Sequence, residues 1–435
     1  MAARKGAAGR EAKRVLICTF GSPGDLLPFL ALARTLRDLG HEPVIATSET
    51  YRRRVEAMEI GFAPVRPDRP PGVPDPDLVD RVRRGQGSPA QIFQEMFLPS
   101  IRESFADTNA AADGADLVVS HTLAFTAGLV AEHRGIDWAS AVLQPLGFFS
   151  RFDPPELGPP GLMAMVRRLG PGWVGAMRAG GATLLRRWSE PWFALRRELG
   201  LPSSDSDPVL RGQHSPRLSL GLFSSLLGGW QPDWPPNTVV TGFPFLEDPA
   251  SQRLELELAD WLRSGPPPII FTLGTTAVME AGDFYVVSAQ AATRLGARAV
   301  LLTGDDPRNV PSYLPDGVRA VPYASFGALF PRACAIVHQA GVGTLAQAMR
   351  AGAPMLVMPY GHDQPDNAAR AVRLGIARRI SRTDYHAGEV ARQLGQILDD
   401  RAMDRRAAEV GERVRAEDGA TAAAAAIERE FWRCC

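Results

Sequence analysis

The sequence predicts an α/β protein with two doubly wound domains, each built around a parallel sheet. Short apolar runs that are typical of strands alternate with helical stretches along both halves of the chain. Strands separated by helices pair in parallel, because each helix carries the chain back across the sheet. The length of 435 residues also exceeds what one hydrophobic core usually serves, so two domains are expected.

A proline-rich stretch between 231 and 249 separates the two halves. We expect an N-terminal domain over 1–235, a linker over 236–250 and a C-terminal domain over 251–435, with the domains facing each other across a cleft. The strands expected in the first domain are 15–19, 44–47, 117–120 and 138–142, and those in the second are 269–273, 299–302, 335–337 and 355–358. A long, alanine-rich last helix is expected over 401–432.

Candidate functional groups follow several of these strands, at the edge where ligands of parallel sheets bind. After the first strand, Gly24 and Asp25 lie in a loop before a helix that begins near Leu26, and Asp25 is suited to cap that helix. His121 follows the third strand and is either a loop histidine or a group that lines an acceptor site. Thr275 and Thr276 follow the first strand of the second half, where their hydroxyls suit phosphate oxygens or helix caps.

The most informative segment runs from 336 to 373, where a strand, a glycine turn, a helix and a second strand are expected. Gly341 and Gly343 permit a tight turn with close backbone approach, and the helix starts around Thr344. Unpaired N–H groups and the positive dipole end of that helix would stabilise a diphosphate without a metal. Two glycines before a helix are common, so the turn alone also fits simple packing.

Asp363 and Gln364 come at the carboxyl end of the strand that follows this helix. A carboxylate beside a carboxamide offers acceptors and donors in one place, which suits the vicinal hydroxyls of a sugar. Either residue could instead cap a helix near Pro365. Together with the glycine turn, the pair indicates a nucleotide-sugar site.

The composition argues against several other classes of protein. Lysine and arginine total 48, as do aspartate and glutamate, so the formal net charge is zero and no electrostatic footprint for nucleic acid exists. The four cysteines and the histidines show no metal-ligand or disulfide spacing. The leader lacks an apolar signal region and no apolar run is long enough to span a bilayer, so we expect a cytoplasmic protein.

Four separated blocks of sequence resemble glycosyltransferase family 1, the inverting enzymes of the two-domain GT-B fold. The block similar to its donor-binding signature reads IVHQAGVGTLAQAMRAGAPMLVMPYGHDQPDNAARAVR. The first block, which resembles the bacterial natural-product and sterol branches, reads VLICTFGSPGDLLPFLALARTLRDLGHEPVIAT. Two further blocks resemble the rhamnosyltransferases of rhamnolipid synthesis and read GWQPDWPPNTVVTGFPFLED and IIFTLGTTAVMEAGDFYVVSAQAATRLGARAVLLTG. The resemblance covers nearly the whole chain and implies that the last helix, about 415–435, packs back on the first domain.

The resemblance implies that the second domain holds a UDP- or dTDP-sugar and the first a hydrophobic acceptor, such as a natural product, sterol, flavonoid or lipid. The acceptor hydroxyl must lose a proton as its oxygen attacks the anomeric carbon, and the aspartate that matches Asp25 is the implied base. A further alternative for His121, which the resemblance does not decide, is that it assists Asp25. No cofactor and no metal are implied, because the nucleotide sugar is a co-substrate.

One position departs from the family pattern. Many members carry a diphosphate-binding histidine immediately before the glycine turn, where this chain has Gln339, and His338 lies one residue earlier. Either side chain can donate to a phosphate oxygen, whereas His338 could equally be a strand-end histidine held by backbone. The nucleotide base is expected near Val321 and Tyr323. Many members stack a tryptophan on uracil there, and because this chain has none, dTDP is as plausible as UDP.

Residues 161–199 contain seven arginines among apolar residues, against only two glutamates. This composition fits a solvated amphipathic helix, which we favour, a gate over the acceptor, or a weak membrane-surface contact. The sequence does not decide whether the oligomeric state is a monomer or a dimer. The rival from another class of protein is a non-catalytic, nucleotide-binding auxiliary homologue, and the retained Asp25, Asp363 and Gln364 argue against it.

Overall fold

The computed structural model describes residues 11–68, 95, 97–156, 162–246, 253–274 and 277–432. The chain divides into two compact units, each with its own parallel sheet. The first unit comprises Met1–Ser225, Gly229–Leu246 and Asp418–Cys435, and the second comprises Leu226–Gly228 and Glu247–Glu417. The doubly wound α/β architecture predicted from the sequence is confirmed.

The first unit contains a seven-stranded parallel sheet, counted over the described residues, in the order β3-β2-β1-β4-β5-β6-β7. Its strands are β1 (Arg14–Cys18), β2 (Glu42–Thr47), β3 (Gly61–Pro64), β4 (Leu117–His121), β5 (Asp137–Val142), β6 (Leu218–Gly221) and β7 (Thr238–Val240). Within the sheet, β1 pairs with both β2 and β4, so the strand order reverses between β1 and β4.

The second unit contains a six-stranded parallel sheet, again over the described part of the chain, in the order β10-β9-β8-β11-β12-β13. Its strands are β8 (Ile269–Thr272), β9 (Ala299–Leu302), β10 (Val318–Val321), β11 (Ala335–His338), β12 (Met355–Val357) and β13 (Ala377–Arg379). Here β8 pairs with β9 and β11, so the order reverses between β8 and β11.

Helices connect the strands of both sheets. The helices of the first unit are α1 (Pro23–Asp38), α2 (Arg52–Glu56), α3 (Ile101–Ala111), α4 (Ala127–Arg134), α5 (Leu162–Arg168), α6 (Pro171–Trp188) and α7 (Glu190–Glu198). Those of the second are α8 (Leu256–Arg263), α9 (Phe284–Arg294), α10 (Phe326–Leu329), α11 (Val342–Ala351), α12 (Gln364–Arg373), α13 (Ala387–Asp399) and α14 (Arg401–Arg415), and α15 (Gly419–Phe431) returns to the first unit. Short 3-10 helices lie at Glu49–Tyr51, Leu98–Ser100, Pro145–Phe148, Ala277–Glu280, Pro307–Asn309 and Phe330–Arg332.

Apolar side chains of the central strands form the core of each unit. Val15, Leu16 and Ile17 of β1 are completely buried, as are Ile269 and Phe271 of β8. Strands of a parallel sheet carry apolar residues in continuous runs because helices cover both faces. Each such side chain contributes roughly 1.5–3 kcal/mol to folding, so the central strands hold the loops at their carboxyl ends in place.

The eight strands predicted from sequence are all present, and their ends shift by at most two residues. Two other expectations differ from the structure. Part of the linker expected over 236–250 is instead β7, which pairs with β6 at the edge of the first sheet. The single last helix expected over 401–432 is divided into α14 and α15, because the side chain of Asp418 accepts a hydrogen bond from the backbone N–H of Thr421 and starts a new helix. Helix α15 packs against α1.

Candidate active site

The point at which the strand order reverses is where ligands bind in open parallel sheets. In the first sheet, Asp25 lies in the segment that follows β1, and His121 ends β4. In the second sheet, Gly274 follows β8, and residues 339–343 follow β11. The topology therefore places Asp25 and His121 at the reversal point of the first sheet, and the two glycine segments at that of the second.

Asp25 takes part in a capping box at the start of α1. Its Oδ2 accepts hydrogen bonds from the backbone N–H of Ser22 at 2.7 Å and from the Ser22 hydroxyl at 2.8 Å. The helix consequently starts at Pro23, earlier than predicted, since proline is favoured in the first turn. Gly24 lies in the same turn. Among the described residues, none hydrogen-bonds to Asp25 Oδ1, so that oxygen can accept a proton from a ligand.

Gly21 makes the position of this carboxylate possible. Its φ of +129° belongs to a region that side chains disfavour, and a Cβ placed there would lie 2.4 Å from Asp25 Oδ2. The carbonyl of Gly21 also accepts a hydrogen bond of 3.0 Å from the Tyr51 hydroxyl. The loop before α1 is thus fixed from both sides, and the carboxylate has a defined orientation.

His121 provides a second proton acceptor near Asp25. Its Nδ1 lies 3.1 Å from the carbonyl oxygen of Phe20, which can only accept, so Nδ1 carries the hydrogen and Nε2 has the free lone pair in the neutral ring. Burial lowers the pKa of His121, while the charge of Asp25 and the Phe20 carbonyl act in the opposite direction. A neutral imidazole near a carboxylate can take up a proton, because the carboxylate stabilises the resulting cation.

His121 also lines a cavity of about 190 Å³ that extends beside α4 and α7. Trp138 forms part of its wall, and Arg196 there makes two hydrogen bonds of 2.6 Å to the carboxylate of Glu132. Both ring nitrogens of His214 are buried without a hydrogen-bond partner in the described part of the chain, and burial lowers the pKa of this residue to about 4. The cavity offers aromatic surface, uncharged hydrogen-bonding groups and the Arg196–Glu132 ion pair beside His121.

In the second unit, α11 begins after Gly341, and this N-cap residue provides no side-chain hydrogen bond to the helix. The N–H groups of the first turn therefore receive no capping side chain from the N-cap residue. Among the described residues outside its own helix backbone, none lies within 4 Å of a Cβ added at Gly343, so open space adjoins this turn. Thr344 is buried in the same turn. The helix end has the geometry of an anion site, with N–H donors and a positive dipole end.

Gln339 lies between the two glycine segments of this edge. A Cβ added at Gly274 would lie 2.0 Å from its Nε2, and one added at Gly341 would lie 2.9 Å from the same atom. The Oε1 of Gln339 is buried and has no partner among the residues that the structure describes. The carboxamide is therefore packed where the segment after β8 meets the turn before α11.

His338 is completely buried, and its Nδ1 accepts a hydrogen bond of 3.0 Å from the backbone N–H of Ala340. Burial lowers the pKa of His338 to about 3, so the ring is neutral at pH 7 and carries its hydrogen on Nε2. The backbone contact expected in one of the two alternatives is present at Nδ1, whereas Nε2 is buried without a partner among the described residues. Contact of His338 with a diphosphate stays a prediction. Gln339 is the residue of the pair that lies against the glycine segments.

Asp363 is the N-cap residue of α12, but its carboxylate makes no capping hydrogen bond. Its Oδ2 instead accepts a hydrogen bond of 2.6 Å from the Nδ2 of Asn367. Gln364 uses its Oε1 to accept from the backbone N–H groups of Tyr360 and Gly361, at 2.7 and 3.3 Å. Sequence reasoning missed Asn367, although its spacing of four residues from Asp363 on a helix predicts a side-chain pair.

The remaining predicted donor residues are spread more widely. Val321 ends the edge strand β10 and is partly buried, and the side chain of Tyr323 is 70% exposed. Thr275 and Thr276 lie outside the described residues, directly after Gly274. No observation tests whether Val321 and Tyr323 contact the nucleotide base, so this role stays a prediction.

Family models match both halves of the chain. Residues 15–115 match the glycosyltransferase family 28 N-terminal domain, and residues 288–429 match the erythromycin biosynthesis protein CIII-like C-terminal domain. The chain is 34% identical over 435 residues to O-mycaminosyltylonolide 6-deoxyallosyltransferase of Streptomyces fradiae, a match that covers 95% of this chain and 97% of the relative.

Solved structures show the same fold. The calicheamicin glycosyltransferase CalG4 matches with a TM-score of 0.72 and 17% identity over 98% of this chain and 100% of that one. The glycosyltransferase VinC in complex with dTDP matches with a TM-score of 0.67 and 20% identity over 97% and 100% of the two chains. These matches do not test the narrower resemblance to the rhamnolipid branch. Because the identity to a named transferase extends over nearly the whole of both chains, this protein belongs to the UDP-glycosyltransferase family of GT-B enzymes and is a glycosyltransferase that acts on small-molecule acceptors.

Proposed function

We propose that this enzyme transfers a hexose or deoxyhexose, with inversion, from a dTDP- or UDP-sugar to a hydroxyl of a hydrophobic small molecule. The observation that carries the proposal is the pairing of an uncapped helix end at Gly341 with the carboxylate of Asp363, both at the carboxyl edge of the second sheet. One group suits a diphosphate and the other suits sugar hydroxyls.

The donor would be held mainly by neutral groups. The N–H groups at the start of α11 and the Nε2 of Gln339 are suited to the diphosphate oxygens, and Asp363 and the amide hydrogens of Gln364 to the sugar hydroxyls. His338 is buried and neutral, so it would contribute no charge to the diphosphate. We propose that no metal is needed, because the helix end already provides positive potential where the leaving group develops charge.

In the proposed reaction, formation of the glycosidic bond is coupled to the transfer of one proton from the acceptor hydroxyl. The acceptor oxygen attacks the anomeric carbon on the face opposite the diphosphate, the bond from that carbon to the diphosphate oxygen breaks, and the hydroxyl proton passes to a base. Asp25 is the proposed base, since its Oδ1 has no partner among the described residues. His121 would assist by orienting the hydroxyl through Nε2. The products are a glycoside, the nucleoside diphosphate and a proton.

A dTDP-deoxyhexose is the donor that we favour. One relative is named for the transfer of a 6-deoxyallosyl group, and VinC was solved with dTDP. The chain also lacks tryptophan between 318 and 325, and the apolar side chain of Val321 suits the methyl group of thymine. For the acceptor, the cavity beside His121 provides aromatic walls that suit an apolar body and polar groups that suit its oxygen atoms.

A donor screen followed by a turnover assay tests the proposed function. Because a ligand that binds only the folded state raises Tm by mass action, dTDP should raise Tm, with a gain in free energy of unfolding of about 2.7 kcal/mol at a hundredfold excess over Kd. Release of dTDP from dTDP-glucose should then require, or be strongly accelerated by, a hydrophobic alcohol or phenol. A Tm shift without any hydrolysis or transfer would favour the non-catalytic auxiliary protein, and no shift with dTDP, UDP or their sugars would contradict the donor site.

Helices α5 and α6, with the connection between them, present an exposed apolar and cationic surface. Five large apolar side chains of α5, α6 and the connection between them are 47–62% exposed: Met165, Leu169, Trp173, Met177 and Leu184. Helices α5 and α6 contain five arginines and no acidic residue. Three of these arginines lie within 4 Å of a carboxylate from outside the two helices, which leaves a net positive charge: Arg167 with Glu156, Arg178 with Asp233 and Arg186 with Asp205. We propose a weak contact of this surface with an anionic membrane, the alternative being a solvated helix.

Sedimentation with lipid vesicles tests this contact. A fraction of the protein should sediment with phosphatidylcholine vesicles that contain phosphatidylglycerol, and less should do so in high salt or without the anionic lipid. The Trp173→Ser variant should lose this binding. Trp230, which is 61% exposed elsewhere in the first unit, provides the matched control, and its change to Ser should have no effect. Equal sedimentation of all three proteins would contradict the proposal. None of the helices among the described residues is long and apolar enough to cross a bilayer.

A further inference from the structure

We propose that Asn367 is a positioning residue that holds the Asp363 carboxylate toward the sugar and links its orientation to the turn before α11. The inference rests on the proposed function, because it assigns sugar recognition to Asp363 and diphosphate binding to that turn. It adds a connection between Asp363, which is proposed to bind the sugar, and the turn before α11, which is proposed to bind the diphosphate of the same ligand.

The two hydrogens of one amide group make this connection. Asn367 lies in the first half of α12 and is completely buried. Its Nδ2 donates to Asp363 Oδ2 at 2.6 Å and to the carbonyl oxygen of Ala340 at 3.0 Å. A carboxamide NH₂ has two hydrogens in a fixed plane, so these contacts use both donors and set the angle between the two acceptors.

The contact with Asp363 is short because its acceptor is charged. Hydrogen bonds to a carboxylate are shorter and roughly twice as strong as those between neutral groups. Since the carboxylate makes no capping hydrogen bond within its own helix, the bond from Asn367 holds Oδ2 in place. This orientation defines where the carboxylate meets the hydroxyls of a bound sugar.

The contact with Ala340 holds the turn on which the diphosphate would rest. Ala340 has a φ of +68°, a left-handed conformation that alanine adopts only at a cost. Two hydrogen bonds to buried side chains offset this cost. His338 accepts from the N–H of Ala340, and Asn367 donates to the carbonyl of Ala340. Gly341, the N-cap of α11, follows at once. The start of this helix is thus fixed through the same amide that orients Asp363.

Affinities for two ligands test this role, namely dTDP, which lacks the sugar, and dTDP-glucose. In the Asn367→Ala enzyme, the Kd for dTDP-glucose should rise at least tenfold more than the Kd for dTDP, as measured by titration calorimetry. Asp363→Ala should show the same preferential loss. Because Asn367 acts through Asp363, adding Asn367→Ala to the Asp363→Ala enzyme should cause no further difference between the two ligands.

A matched control is available in the same unit. Asn309 is also buried and its Nδ2 also donates to two carbonyls, those of Val278 and Thr303, at 3.0 and 2.9 Å. The Asn309→Ala enzyme should change both affinities by the same factor. If Asn367→Ala folds poorly, Asn367→Ser offers a smaller loss of polarity for the same comparison.

Three results separate the outcomes. Preferential loss of dTDP-glucose in Asn367→Ala supports the positioning role. Equal losses for both ligands, as in the Asn309 control, would overturn it, because Asn367 would then only stabilise the fold. If the wild-type enzyme binds neither ligand, the proposed donor site itself is wrong, and the positioning role fails with it.

Discussion

Replacing Asp25 with Asn should lower kcat by about 10²–10⁴-fold, the range typical of a lost general base. The affinity for dTDP should stay unchanged, because the nucleotide is proposed to bind in the second unit. Asparagine keeps a carbonyl oxygen that can accept both hydrogen bonds from Ser22, so the start of α1 should be retained. What the variant loses is the ability to take up a proton at neutral pH. Steady-state kinetics and a dTDP titration measure the two quantities.

Asp400 provides the matched control for this substitution. Its carboxylate caps α14 in the second unit by accepting from the backbone N–H groups of Ala402 and Met403, each at 3.0 Å. The Asp400→Asn enzyme should therefore show at most a small loss of Tm and an unchanged kcat. A similar fall of kcat in both variants would mean that Asp25 acts through helix capping and not as a base.

The outcome for Asp25 also decides the role of His121. If Asp25→Asn keeps wild-type turnover, His121 is the base that the structure offers, because its Nε2 has the free lone pair. If turnover is lost, the pH profile of the His121→Gln enzyme shows whether the histidine assists. Burial lowers the pKa of His121, so a wild-type profile controlled by His121 would decline at a lower pH than one controlled by an ordinary histidine.

Most of the central strands could be predicted because each is rich in apolar residues. Five strands were missed. Four of them, β3, β7, β10 and β13, have three or four residues each and lie at sheet edges. The fifth, β6, lies between β5 and β7 and has four residues, whose sequence Leu-Ser-Leu-Gly is no continuous apolar run. An edge strand pairs on one side and packs less, so it needs no continuous apolar run and leaves little pattern in the sequence. The linker expected over 236–250 was misplaced for this reason, since proline-flanked β7 resembles a loop.

The candidate site could be predicted where a local pattern determines the chemistry. The glycine turn and the Asp363–Gln364 pair are contiguous in sequence, and their positions at a sheet edge follow from alternating strands and helices. The surroundings of His338 and Gln339 could not be predicted, because they depend on burial and on the left-handed backbone of Ala340. The contacts of Asn367 could be predicted only in part. Its spacing from Asp363 is visible in the sequence, whereas its bond to Ala340 joins positions 27 residues apart.

Replacing Gly343 with Ala should weaken dTDP binding by at least about tenfold, or 1.4 kcal/mol, without lowering Tm. The methyl group has no contact within 4 Å from the described residues beyond its own helix backbone, and alanine is favoured over glycine in a helix by up to about 1 kcal/mol. The same methyl group would occupy the open space at the start of α11, where phosphate oxygens must approach the backbone N–H groups.

The value of this variant is that folding and binding are expected to change in opposite directions. Gly180, in α6 of the first unit, is the matched control, because a Cβ there also meets nothing within 4 Å. Gly180→Ala should raise Tm and leave dTDP affinity unchanged. If Gly343→Ala also leaves the affinity unchanged, the diphosphate does not rest on this helix end, and the donor must approach the second unit elsewhere. A loss of affinity together with a stable fold would place the diphosphate at the N-terminus of α11, since a general destabilisation would lower Tm as well.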